Sequence, residues 1–551
     1  VSVLEPWYGA TAKLRDNRLP ILAAGALLTA VGSWTPWSAF TGFPGQMTLA
    51  YPGGARFYCL LLLIVAIAAY VLGPQRRRAG EVAGLGIFAI AVGTAYAIAH
   101  QGGGLVNLQY GAWLTIVGGL LLLVGFAAAE RDDEPPVVPD GPAYVGLLGC
   151  VAVCALALVL VVEGLKIEAS SQFLAYLAAI IFAALALSRL GGFAWMQRAA
   201  ERNRTVLVTA GLLSAAIFPF TQGGSDYWVR VGASIGVFAA AAVGLNIVVG
   251  LAGLLDLGYI AFFGVGAYVG ATYSGAPGSN AHVHLPFLLV MVLGAIVAAV
   301  FGVVIGTPTL RLRGDYLAIV TLGFGEIFRI SSNNLDGLAG PKITNGPNGI
   351  PGIPNLHAAG IDFGESHTVF GIKLGYFSNY WFAELLLLMA VVLIFVRLNQ
   401  SRIGRAWVAI REDETAAAAM GVNTVRLKLL AFAIGAFLAG AAGTLNAHVT
   451  TQVDPTSYKF DDSILLLAAV VLGGMGTIGG ALLGSAMIIV LPEKLRFFKD
   501  YRILLFGAAL ILMMRFRPEG IVPNRRRQRE FHEEGGGDAM SAAPGAGVAT
   551  P

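Results

Sequence analysis

The chain is 551 residues long, 56% hydrophobic and only 12% charged, with a formal net charge of +4. Those proportions exclude a single soluble core and describe an all-α, polytopic membrane helical bundle. A net charge this small suggests no nucleic-acid partner, and where the charges fall matters more than their sum. The three cysteines, Cys59, Cys150 and Cys154, sit inside apolar runs, so neither a disulfide framework nor a metal cluster is expected. No removable signal peptide is read, because the first apolar segment runs directly into aromatic and proline residues.

Lys13, Arg15 and Arg18 precede the first apolar segment, about Leu19–Phe40, and the second, Phe57–Gly73, is closed by Arg76, Arg77 and Arg78. Segments near Val82–His100, Gln109–Ala129, Ala143–Glu163 and Phe173–Leu190 follow and end at Arg198, Arg202 and Arg204. Each approaches the length that crosses a bilayer. Basic residues gather on the cytoplasmic side, which puts both ends of this six-span unit inside. The acidic link Glu130–Gly141 also falls inside by parity; acidic residues count little in that rule.

A second unit starts near Thr205, with spans at about Thr205–Phe220, Val229–Gly250 and Leu257–Tyr273. An outer loop, GAPGSNAHVH, leads to Leu285–Gly306, which returns the chain to Arg311 and Arg313 inside. Leu317–Ser332 goes out again. Asn333–Asn379 is a polar, Gly/Pro-rich outer segment too long for a plain connector. Tyr380–Leu398 returns, the charged stretch Ser401–Lys428 lands in the cytoplasm, and Leu429–His448 exits. Ser463–Gly473 and Ile478–Leu491 read as two short helices broken at glycines. Tyr501–Met514 ends inside at Arg515, Arg517 and Arg525–Arg527, and disorder is expected from Gly535 onward, where Gly, Ala, Ser and Pro dominate. Three regions result: 1–204, an extension of about six spans; 205–523, the main membrane unit; and 524–551, a basic and low-complexity tail.

Few residues in these spans suggest chemistry. Gly474-Met-Gly476-Thr-Ile-Gly479 spells GxGxxG, but its flanks suit lipid, and a dinucleotide site needs a strand and a soluble βαβ unit. Close helix approach and a break at membrane depth explain these glycines better, and Gly266-Ala-Tyr-Val-Gly270 has the same explanation. No P-loop is present, so any ATP-driven transport needs its nucleotide site on another polypeptide. Glu326 and Arg329, one turn apart in a span, form either a pathway element or a structural pair. Asp256, Asn246 and Asn446 are further polar residues near span ends, explained as well by helix–helix hydrogen bonding as by substrate contact. His282, His284, His357 and His367 fall on outer loops without ligand spacing. No nucleophile–base arrangement stands out, and the chain reads as non-catalytic.

The stretch Ser401–Lys428, SRIGRAWVAIREDETAAAAMGVNTVRLK, organises the rest. Ala, Arg, Glu and Met favour a helix, Gly421 stands where a C-terminal cap belongs, and Asn423 or Thr424 starts the next helix. One short amphipathic helix, Ile403–Gly421, is predicted between two spans. That is what a membrane protein needs to receive force from a soluble partner, and also what an ordinary interfacial helix looks like.

RIGRAWVAIREDETAAAAMGVNTVRLKLLAF resembles the cytoplasmic coupling loop of the M-type permease subunits of branched-chain amino acid ABC importers. LNIVVGLAGLLDLGYIAFFGVGAYVGA (Leu245–Ala271), TLRLRGDYLAIVTLGFGEIFRI (Thr309–Ile330) and TNGPNGIPGIP (Thr344–Pro354) continue the resemblance. VVLGGMGTIGGALLG (Val470–Gly484) and LLFGAALILMMRFRPEGI (Leu504–Ile521) complete it over roughly Thr205–Pro523, leaving the first two hundred residues uncovered. The resemblance implies a multi-pass subunit of a bacterial inner membrane with both termini cytoplasmic. Its implied partners are two ABC ATPase subunits, a homologous H-type permease, a periplasmic amino-acid-binding protein and membrane lipid. ATP and Mg would be held by the partner subunits and no cofactor by this chain. Arg405, Arg411, Glu412 and Glu414 are expected to make polar contacts with the ATPase, and Trp407, Ile410 and Met420 to form the packed side, with Ala417 and Gly421 completing the coupling element. Charge reversal at Arg411 or Glu414 is expected to uncouple hydrolysis from uptake. Asn246, Thr321, Glu326 and Asn446 are candidates for the substrate path. Leucine, isoleucine and valine are the implied substrates; a urea or amide ABC permease, or an ion-coupled secondary transporter, stays open as an alternative.

Overall fold

A computed structural model describes residues 14–38, 54–73, 77–102, 104–128, 142–222, 226–281, 283–309, 316–338, 341–358, 361–369, 371–495, 501–516 and 520–522. Expectations for Lys13, Arg76, Glu130–Gly141, His282, Arg311, Arg313, Arg517, Arg525–Arg527 and the tail from Gly535 lie outside them. Among the described residues, nine helices are long and apolar enough to cross a membrane. The chain forms two compact units, Val1–Thr221 and Gln222–Pro551.

The first unit contains α1 (Arg18–Trp34), α2 (Ala55–Val71), α3 (Arg77–Gly102), α4 (Tyr110–Ala127), α5 (Ala143–Lys166), α6 (Ser170–Arg189), α7 (Gly192–Arg202) and α8 (Arg204–Thr221). Helices α1 and α4 pack through small residues. A Cβ on Gly25 would sit 2.9 Å from the Leu122 nitrogen, and one on Gly118 2.7 Å from the Thr29 nitrogen. In lipid, where apolar surface has no water to escape, this close approach is what holds helices together. Helix α8, placed by the sequence at the start of the second unit, packs on α5. The division therefore falls at 221/222 rather than 204/205.

The second unit begins with α9 (Asp226–Asn246), which widens into a π-helical turn over Ile247–Leu251. Then come α10 (Tyr259–Tyr273), α11 (Phe287–Thr309) and α12 (Tyr316–Asn334). The long polar segment holds β1 (Ile350–Pro351), β2 (His357–Ala358), β3 (Ile361–Asp362), β4 (His367–Val369) and β5 (Ile372–Leu374). Helix α13 (Tyr376–Gln400) leads to the short α14 (Arg402–Glu412) and α15 (Glu414–Ala419), and α16 (Thr424–Thr450) to β6 (Gln452–Val453). Helices α17 (Phe460–Gly473), α18 (Ile478–Lys494) and α19 (Arg502–Phe516) close the unit.

Its core is built on α16, which packs against α10 and α11. A Cβ on Gly266 would collide with the Gly440 backbone, and one on Gly443 with the Phe263 carbonyl. The Thr444 hydroxyl, fully buried, donates to the Gly266 carbonyl at 2.9 Å. Two sides of the unit are thereby defined. On the loop side, β1 pairs antiparallel with β6, Ile350 opposite Val453. His448, at that end of α16, joins Ser274 (3.0 Å) to the Pro354 carbonyl (2.9 Å). Helices α14 and α15 mark the opposite, coupling side.

Helices α17 and α18, expected as a broken pair, form a hairpin with both ends on the loop side. Helix α17 follows β6 after a single 3-10 turn, Pro455–Ser457, and the end of α18 is fastened to the start of α9. There Lys494 lies over the Trp228 ring at 4.1 Å, and the Tyr227 hydroxyl donates to Glu493. The bend at Gly474–Thr477 requires glycine twice, since Gly474 and Gly476 have φ of +127° and +77°.

Candidate functional site

The link between α13 and α16 is built from capping residues. Ser401 opens α14, its hydroxyl accepting from the Gly404 N–H at 3.1 Å. The apolar side chains then face inward: Trp407 is fully buried and its indole N–H donates to the Leu427 carbonyl of α16 at 2.7 Å, with Ile410 buried one turn on. The expected single helix Ile403–Gly421 is in fact two. Asp413 is extended (φ −150°) and its carboxylate accepts from the N–H groups of Thr415 (2.8 Å) and Ala416 (2.9 Å), stopping α14 and starting α15. Gly421, at φ +84°, closes α15, and Asn423 caps α16 through the Arg426 N–H at 3.1 Å.

That break re-aims the face beyond it. Ala417 is buried, but Met420, expected on the packed side, is 85% exposed. Arg411, expected to point toward a partner, reaches back into its own chain. Its guanidinium donates to the Gly250 carbonyl at 2.8 Å, and its stem fills the space that Gly253, at φ +72°, leaves by lacking a side chain. Glu414 makes an ion pair with the largely buried Lys428 at 2.6 Å. Outward the pair of helices presents the side chains of Arg402, Arg405, Glu412, Asp413, Glu414, Thr415 and Met420, Glu414 being half-exposed despite its ion pair.

The four candidate path residues are not brought together. Asn246 is fully buried, its amide oxygen accepting from the Gly476 N–H at 2.7 Å and its nitrogen donating to the Thr477 carbonyl at 2.9 Å. It clamps the bend of the α17–α18 hairpin. Thr321 accepts from the Leu257 N–H at 3.0 Å and so fixes the connection between α9 and α10. Asn446, half-buried, lies toward the loop-side end of α16. Glu326 lies midway along α12, held by Arg329 through bonds of 3.1 and 3.0 Å. Asp256, in the connection outside the crossing helices, takes the Gly258 N–H at 2.9 Å. Burial pushes its carboxyl up to about 7, against the opposing pull of the Gly258 amide and the Thr321 hydroxyl.

Sequence reasoning missed three residues here. Asp413 was legible as an Asp two residues before Thr, a capping pattern inside a run otherwise rich in helix formers. Lys428 reads only as another basic residue before a span. Glu384, in α13, is 1% exposed, and neither of its carboxylate oxygens has a hydrogen-bond partner among the described residues. A lone Glu in an apolar run was its signal.

Apolar crossing helices packed through glycine, a re-entrant hairpin clamped at its bend, and a charged helix pair slung between two spans together define a transport protein of the permease class. Residues 227–514 match the family described as "Branched-chain amino acid transport system / permease component", and the chain belongs to that family. It is 40% identical over 338 residues to the high-affinity branched-chain amino acid transport system permease protein LivM of Salmonella typhimurium, covering 59% of this chain and 76% of the relative. LivM of Escherichia coli K12 gives the same identity and coverage. The permease protein LivH of Escherichia coli K12 is 35% identical over 145 residues, 26% of this chain and 46% of that one. No solved structure matches the chain.

Proposed function

We propose that this chain is the M-type permease subunit of an ATP-binding-cassette importer that carries leucine, isoleucine and valine inward across a bacterial inner membrane. In this reading α14 and α15 face the cytoplasm, as do both termini, and dock on one of two ATPase subunits that hold ATP and Mg. A homologous H-type permease completes the membrane path, and a periplasmic binding protein delivers substrate to the side of β1–β6. The observation that carries the reading is the suspension of α14–α15 between two long apolar helices, with charged groups and Met420 exposed beneath an anchored Trp407.

Movement of the ATPase would displace α14, and three attachments pass that displacement on. The Ser401 hydroxyl, donating to the Leu398 carbonyl at 2.7 Å, ties it to α13, and the Trp407–Leu427 bond ties it to α16. Arg411 ties it to Gly250 at the π-helical end of α9, where Asn246 in turn grips the hairpin bend. Wide π turns tolerate such rearrangement, because their hydrogen bonds are already out of α-helical register. Substrate and nucleotide then shift the two-state balance only through their differential affinity for the outward- and inward-facing forms.

The test is reconstitution with the H-type permease, both ATPases and the binding protein in proteoliposomes. Vanadate-sensitive, ATP-dependent leucine uptake is expected. Vanadate-insensitive uptake driven by an ion gradient would replace this reading with that of a secondary transporter, and uptake of urea without leucine would overturn the substrate assignment.

A further inference from the structure

Helix α12 runs from the coupling side, where Thr321 meets the Leu257 N–H, to the loop side, where the Thr344 hydroxyl donates to the Ser332 carbonyl at 2.5 Å. Leu317, Ala318, Thr321 and Ser332 are buried on one face. The other face is open at mid-length. Glu326 and Arg329 form their ion pair there, with side chains 42% and 33% exposed. Gly323, one turn earlier, has nothing within 4 Å of the place a Cβ would take. Ile319 (63% exposed) and Ile330 (48% exposed) stand below and above Glu326 on the same face.

An ion pair at this depth is costly against hydrocarbon and belongs beside a wet path or another protein. Its surroundings indicate which. Opposite charges lie side by side, a notch opens at Gly323, and exposed aliphatic side chains flank both. A zwitterionic amino acid with a branched aliphatic side chain has the matching parts: an ammonium and a carboxylate on one carbon, next to an apolar group. Helix packing alone would favour a covered pair and a filled notch.

Resting on the importer reading above, we propose that Glu326 and Arg329 form a subsite for the substrate zwitterion in the translocation path. The pair opens as substrate arrives: the Arg329 guanidinium takes the carboxylate in charge-assisted bonds and Glu326 takes the ammonium. Ile319 meets the side chain over the notch at Gly323. Net charge stays zero throughout, so no isolated ion is left in the membrane. When substrate leaves, the two residues close on each other again.

The experiment uses the complete importer in proteoliposomes with radiolabelled leucine, comparing wild type, Glu326→Gln, Arg329→Gln and the exchange Glu326→Arg/Arg329→Glu. The exchange keeps an ion pair at the same spacing but reverses its polarity toward the substrate. Expected is at least a tenfold fall in leucine moved per ATP hydrolysed for all three, with subunit assembly and ATP hydrolysis retained. Uptake by the exchange variant within about twofold of wild type would show a structural pair and overturn the proposal. So would failure of the exchange variant to assemble with the second permease, which would make the pair an interface contact. If wild type itself moves no leucine, the importer reading fails first, a result separable from these.

Discussion

Asn246 gives the sharpest test of how the second unit is held together. Its amide oxygen and nitrogen engage the Gly476 N–H and the Thr477 carbonyl at the only sharp bend of the α17–α18 hairpin. Asn246→Ala deletes both bonds and leaves the buried Gly476 N–H without its acceptor, while the Thr477 carbonyl keeps the Ala481 N–H at 3.3 Å. At about 1–3 kcal/mol for an orphaned buried group, the cost is about 1–3 kcal/mol. Asn246→Asp keeps an acceptor for Gly476 but turns a second oxygen toward the Thr477 carbonyl, so it is expected to destabilise at least as much. The assay is thermal unfolding of the purified permease in detergent, run beside the KM for leucine in the reconstituted importer. Both variants are expected to unfold several degrees below wild type, with whatever protein remains folded showing a near-normal KM. Unchanged thermal stability together with a raised KM would refute the clamp and return Asn246 to the substrate path.

Met420→Asp is expected to lower ATP-coupled uptake at least tenfold while leaving thermal stability within about 0.5 kcal/mol, because the side chain touches little of its own chain; loss of stability would show that it packs internally. Arg411→Glu should instead destabilise the permease itself, by setting a carboxylate against the Gly250 carbonyl, and a fully stable but uncoupled variant would contradict that. Asp256 bears on pH. Its folded value, about 7, lies above the ordinary 3.8, so the contribution is full below about pH 4 and lost as pH rises to about 7. Asp256→Asn should therefore remove a downward slope of stability across that window and gain most over wild type above pH 7, as followed by unfolding at several pH values. Glu384→Met removes two unpartnered oxygens from an apolar setting and is expected to raise stability by about 1–3 kcal/mol; a lower melting temperature would show that the carboxyl has a partner in the assembled complex.

Most of the helices were legible because lipid demands long apolar runs, and the spans found lie within a few residues of those read from the sequence. The ends were less so. Helix α9 was read as a plain span to Gly250, but its last turn is π-helical, a local widening that no hydropathy pattern encodes. The coupling stretch shows the same limit at the level of the site. Gly421 and Asn423 were readable as caps because capping depends on a few neighbouring atoms. The outward aim of Met420 was not, since one extended residue, Asp413, rotates everything after it. Arg411 illustrates the remaining gap: its partner is the Gly250 carbonyl, 161 positions away in sequence.

The bend of the hairpin has a consequence for how this unit is made. The last carbonyls of α17 are not satisfied by anything near them in sequence; Leu472 and Gly473 receive the N–H groups of Ile521 (3.0 Å) and Val522 (2.9 Å), which lie beyond α19. Those two bonds depend on a segment that is synthesised after α19. The bend therefore gains its last backbone bonds only once the chain beyond α19 is in place. A truncation placed just after Phe516, innocuous on a hydropathy plot, would strip the bend of both bonds and leave it to the Asn246 clamp.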